Sequence, residues 1–95
     1  MSGDVLGLAG EIDLATIPVV RQRLHAAVAA RPGQVVVVDL ADVTFVDSAG
    51  IGILLGARRR ARSSGGDLRL VGVSGRVAVA LDQAGVGTVF DVKLA

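Results

Sequence analysis

A β-branched run that leads into Asp47-Ser48 and then a small-residue helix limits what this chain can become. Residues 34–40 end in Val35-Val36-Val37-Val38-Asp39-Leu40. That run reads as a central strand buried on both faces. A polar connection holding Asp42 and Thr44 is expected next. Asp47-Ser48 then stands directly before a helical segment, Ala49 to about Arg62. Asp and Ser cap helix N-termini because their side-chain oxygens accept the backbone N–H groups that lack a partner there. A carboxylate and a hydroxyl are thus presented at the positive end of a helix, just past the carboxyl end of a central strand. Ligands and chemistry gather at that place in open α/β sheets.

The rest of the chain supplies the frame. Asp4 to Gly10 alternates as a short strand weakened by glycine. Glu11-Ile12-Asp13-Leu14 continues or leaves it. Thr16 fits an N-cap, and Pro18 fits the first turn of a helix over residues 17–30. Ile17, Val20, Leu24, Ala27 and Val28 recur on one face of it. Pro32-Gly33 stops this helix. In the second helix, positions 50, 53, 54, 57 and 61 form the inward stripe. Ile51 then falls on the arginine side, as either an exposed contact or a border core residue. Ser63-Ser64-Gly65-Gly66-Asp67 is a turn. Leu68 to Val73 is a strand. Ser74 caps a third helix to about Ala84, with Val77, Ala80, Leu81 and Ala84 inward. Gly85 ends it, and Val86 to Val92 reads as a last strand. The alternation predicts an α/β domain: a small, mainly parallel or mixed four-stranded sheet with a single layer of helices packed on it.

Ninety-five residues suffice for one domain, 1–95, without internal repeat or linker. Residues Lys93-Leu94-Ala95 match the start of a common cloning-vector tail and are expected to be foreign. Hydrophobic residues are 52% of the chain, too many for a disordered one. With only Phe45 and Phe90 as aromatics, the core must be aliphatic. No apolar run approaches the roughly 20 residues of a membrane span. Met1-Ser2-Gly3-Asp4 lacks the pattern of a secretory leader, so a cytoplasmic protein is expected. Without cysteine there is no disulfide or thiolate chemistry, and one histidine, His25, argues against a zinc site. The net charge of +1 gives no global attraction for nucleic acid.

Several residues carry two readings. Ser48 or Asp47 is a helix cap, or Ser48 is a modified or contacted hydroxyl that Asp47 orients. Gly50 and Gly52 serve tight packing or the close approach of a partner. Glu11 and Asp13 serve turn chemistry or a partner surface; with Asp47 they lack the other ligand types of a metal site, and none is expected. Arg58-Arg59-Arg60 and Arg62 spread around a helix and read as solvated, or as an attraction for acidic groups. Nucleophilic catalysis by Ser48 would need a base, but His25 is the only histidine, placed mid-helix. Val46 occupies the place of the first glycine in a Gly-x-Ser-x-Gly elbow, and no phosphate-binding Gly-x-x-x-x-Gly-Lys loop exists. The chain is read as a non-enzyme without cofactor.

The run Val43-Thr44-Phe45-Val46-Asp47-Ser48-Ala49-Gly50-Ile51-Gly52-Ile53-Leu54 resembles the signature of the anti-sigma factor antagonist (STAS-domain) family. Gly10-Glu11-Ile12-Asp13 resembles that family's second motif, and Ser64-Gly65-Gly66-Asp67 follows in order. The resemblance implies a STAS-like fold and a bacterial, cytoplasmic regulator of transcription in a stress response. It implies that Ser48 is phosphorylated and that Glu11, Asp13, Asp47, Ala49, Gly50, Ile51 and Gly52 form the partner surface. The implied partners are an anti-sigma factor that is a serine kinase of the histidine-kinase-like ATPase type, using its own ATP and magnesium, and a protein phosphatase. The unphosphorylated form would bind the kinase and free a sigma factor. No membrane or direct nucleic-acid contact is implied. Family members usually carry a strand before the one holding Leu6 and Leu8, and a helix after the last strand. Little room is left here for either, so an uncovered helical face and an open sheet edge at the N-terminus are expected, to be explained by truncation, by dimerisation through that edge or by a naturally minimal domain. Two other readings stand beside this one: a non-phosphorylated STAS scaffold or accessory module of a transporter or signalling assembly, and a small-ligand or nucleotide binder.

Overall fold

The computed structural model describes residues 5–73 and 75–90. The elements are β1 (Val5–Ile12), α1 (Ile17–Ala30), β2 (Val35–Val46), α2 (Ser48–Ser63), β3 (Asp67–Val71) and α3 (Gly75–Gln83). The sheet has the order β1-β2-β3, and both strand pairs are parallel. β1 and β3 are its edges among the described residues. Ser74, expected to cap α3, lies outside them.

β2 is longer than expected. Asp42 and Thr44 continue the strand instead of forming a connection, because Ala9 to Ile12 supply a ladder for them. Ala9 pairs with Asp42, Gly10 with Val43, Glu11 with Phe45 and Ile12 with Val46. Two register shifts break the alternation there, and Gly10 at φ +79° takes the left-handed backbone that one of them uses.

Both crossovers run in one direction across the sheet, so right-handedness puts α1 and α2 on one face. The strands bury that face: Leu8 on β1, Val36, Val38 and Leu40 on β2, Leu68 and Leu70 on β3. Val20, Leu24 and Val28 of α1 and Leu54, Ala57 and Ala61 of α2 join the same core. Burial of the valine run on both faces does not occur. Val35 is exposed and Val37 half-buried, and Val5 and Val71 beside them are exposed, because these side chains lie on the face opposite α1 and α2.

The fourth strand is not present among the described residues. Val86 to Phe90 form a helical-type turn, with the Phe90 N–H donating to the Val86 carbonyl at 3.2 Å. Both residues are buried, four positions apart, which is the spacing of a helical turn and not of a strand. Asp91 and Val92 lie outside the described residues.

Candidate functional site

The site forms where β1 and β2 end side by side. The Ile12–Val46 pair closes the ladder, and the Asp47 N–H then donates to the Ile12 carbonyl at 3.1 Å. The chain after β1 turns into α1 while the chain after β2 turns into α2. Asp13 and Ser48 are therefore brought to one end of the sheet.

Asp47 is the cap of α2. Its Oδ1 accepts from the Gly50 N–H at 2.8 Å, and its carbonyl accepts from the Ile51 N–H at 2.9 Å. Its Oδ2 accepts from the Leu14 N–H at 3.2 Å. Both carboxylate oxygens are thus engaged with backbone, one on each side of the site, and neither orients the Ser48 hydroxyl. Because Asp47 does the capping, Ser48 is left as the first residue of the helix. Its side chain is exposed, and its hydroxyl has no hydrogen bond among the described residues. The N–H groups of Ser48 and Ala49 also lack an acceptor there.

The turn before α1 is built by Asp13, not by Thr16 as expected. Thr16 makes no side-chain cap bond to the helix. Asp13 Oδ1 accepts from the N–H groups of Ala15 and Thr16 at 3.0 and 3.2 Å. The Thr16 hydroxyl faces backward instead, donating to the Glu11 carbonyl at 2.8 Å and accepting from the Asp13 N–H at 3.0 Å. Glu11 is exposed, and its carboxylate is unpaired among the described residues.

The small and apolar candidates divide. Gly50 is buried, and a Cβ there would stand 2.6 Å from the Ile12 carbonyl oxygen, so it serves packing. Gly52 is exposed with open space around it, and Ala49 is half-buried. Ile51 is not an exposed contact: it is 7% exposed and belongs to the core. The arginine side of α2 faces β3, where Arg58 Nε lies 3.2 Å and Arg62 Nη1 3.5 Å from the Asp67 carboxylate. Arg59 and Arg60 point to solvent. The residue that sequence reasoning passed over is Leu14, which is 77% exposed beside Asp47. Its only signal in the sequence is an apolar side chain set between two turn-forming polar residues.

The chain also matches the model of a known family, the STAS domain, over residues 3–95. The chain belongs to the STAS-domain family. This STAS domain is 32% identical over 88 residues to the anti-sigma-B factor antagonist of Bacillus subtilis (strain 168), spanning 93% of the chain and 79% of that relative. It is 30% identical over 82 residues to the anti-sigma F factor antagonist of Paenibacillus polymyxa, spanning 86% of the chain and 70% of that relative. Among solved structures, an anti-sigma factor antagonist from Mycobacterium paratuberculosis superposes with a TM-score of 0.75 at 28% identity, over 95% of this chain and 74% of that one. The anti-sigma factor antagonist SpoIIAA in its unphosphorylated form shares the fold, with a TM-score of 0.77 at 24% identity over 96% of this chain and 77% of that one. No helix among the described residues is long and apolar enough to cross a membrane.

Proposed function

We propose that this STAS domain is an anti-sigma factor antagonist switched by phosphorylation of Ser48. In its unphosphorylated form it binds an anti-sigma factor, a serine kinase of the ATPase type, and so frees a sigma factor for transcription. The kinase, with its own ATP and magnesium, transfers a phosphoryl group to the Ser48 hydroxyl, and the complex parts. A phosphatase restores the hydroxyl.

The observation that carries this reading is the uncapped, exposed hydroxyl of Ser48 at the first position of α2. A kinase reaches such an oxygen without unfolding anything. A phosphate there adds about −1.5 to −2 charges beside the open N–H groups of Ser48 and Ala49, where the helix end favours an anion. The domain tolerates the charge. A partner surface packed over it does not, because there the dianion loses its water and, against an apolar or acidic partner, gains no opposite charge in return. The names of the relatives support the anti-sigma assignment.

The test uses the purified ATPase-type anti-sigma factor encoded in the same genome. Wild type and Ser48→Ala bind it, and Ser48→Asp does not. Incubation with ATP and magnesium adds one phosphate to wild type, read by intact mass, and none to Ser48→Ala. Equal binding by all three proteins would falsify the switch.

A further inference from the structure

We propose that Leu14 is an apolar anchor for the protein that covers Ser48, and that Asp47 positions it. The inference rests on the reading that a partner covers Ser48. A solitary exposed apolar residue is ordinary. Leu14 differs in how it is held. Among the described residues it is the most exposed of the large apolar ones, at 77%, yet its backbone is fixed. Its N–H donates to Asp47 Oδ2, a bond between residues 33 apart in sequence. The flanking turn is fixed by Asp13 Oδ1 on the N–H groups of Ala15 and Thr16, and by the Thr16 hydroxyl on the Glu11 carbonyl.

An exposed leucine on a mobile loop loses backbone freedom when it is buried by a partner. One on a pinned turn has lost that freedom already, and this is the condition under which a single apolar side chain contributes most to binding. The residue doing the pinning is the cap that sets Ser48 at the start of α2. The distance between anchor and hydroxyl is therefore fixed by one carboxylate. The partner that fits has an apolar pocket next to the site that handles the serine.

The test measures the affinity of the same anti-sigma factor for wild type, Leu14→Ala, Asp47→Ser and the double variant. Serine caps a helix about as well as aspartate, but its hydroxyl is too short to serve Leu14 as well. Leu14→Ala weakens binding by at least about tenfold, the loss expected of a central anchor. Asp47→Ser weakens binding too, and the double variant is no worse than the weaker single. Amide exchange at Leu14 speeds up in Asp47→Ser while that at Gly50 stays slow, a change that a purely capping role would not produce. Binding by Leu14→Ala within about twofold of wild type, the scatter of an indifferent surface change, overturns the proposal. So do fully additive losses in the double variant. If Ser48→Asp abolishes binding while Leu14→Ala retains it, the anchor falls and the switch stands. If wild type does not bind at all, both fall.

Discussion

Gly50 lies directly against Ile12: a Cβ at position 50 would come within 2.6 Å of the Ile12 carbonyl oxygen and 2.8 Å of its Cγ2. The first turn of α2 is thereby pressed onto the last residue of β1, where the Ile12 carbonyl also receives the Asp47 N–H. Gly50→Ala must push α2 away from the sheet. The expected cost is about 1–3 kcal/mol, that of overpacking a closed contact. Gly52→Ala is the control. It is exposed with open space around it, so alanine there is expected to stabilise by about 0.5–1 kcal/mol through helix propensity. Urea denaturation of the two variants checks the pair. Equal and small effects would mean that α2 does not seat on β1 as described.

Ser48→Asp separates stability from binding. An acidic side chain in the first turn interacts well with the helix end, so unfolding free energy is expected to stay level or rise by about 0.3–1 kcal/mol. Loss of partner binding alongside undiminished stability would locate the effect at the interface. A variant that melts well below wild type would instead mean that Ser48 is needed for the fold.

The sequence announces the parts of this fold that are set locally. The bounds of α1 are legible because Pro18 and Pro32-Gly33 punctuate them. The place of Asp47-Ser48 at the junction of a strand and a helix is legible because both are capping residues set between a β-branched run and a helical segment. What was not legible depends on partners far away in the chain. Asp42 and Thr44 become strand only because β1 lies alongside, and the register shifts there erase the alternation that marks a strand. Ile51 reads as exposed on a helical wheel because it shares a side with arginines. That side is covered by β3, where Asp67 receives Arg58 and Arg62. Phe90 is buried from a turn, and a run of Val, Phe and Val reads as a strand until the turn bond between residues 86 and 90 is seen. The pinning of Leu14 by Asp47 joins two loops, and no local pattern encodes it.

Asp13 distinguishes a turn role from a charge role. Its carboxylate serves the N–H groups of Ala15 and Thr16. Asp13→Ala is expected to cost about 0.5–2 kcal/mol, the range for losing a cap. Asp13→Asn keeps an acceptor and is expected to recover most of that loss. Thermal melts of the two variants check the stability half. In the anti-sigma factor titration, an Asp13→Asn protein that folds normally yet binds weakly would assign the charge itself to the partner surface. Unchanged binding would leave Asp13 as turn chemistry alone.

The clamp of Arg58 and Arg62 on Asp67 predicts a graded response to salt. Arg62 Nη1 lies 3.5 Å from Asp67 Oδ2 with its side chain 55% exposed, so Arg62→Ala is expected to cost about 0.2–1 kcal/mol at low ionic strength. At about 1 M salt the screening length falls to about 3 Å, and most of that cost vanishes. Arg58 is held differently. Its side chain is 24% exposed and its Nε is buried, so truncation also removes side-chain surface held away from solvent, a loss that salt does not screen. Arg58→Ala is therefore expected to cost more than Arg62→Ala and to keep a residual cost in high salt. Asp67→Ala removes both ion pairs and the bond from the Leu68 N–H to Oδ1, and is expected to be the most damaging of the three at low salt. Denaturation at two salt concentrations reads all of this. If Arg58→Ala and Arg62→Ala lose the same stability and recover together in salt, Arg58 is only a surface charge, and the arginine side of α2 does not face the sheet.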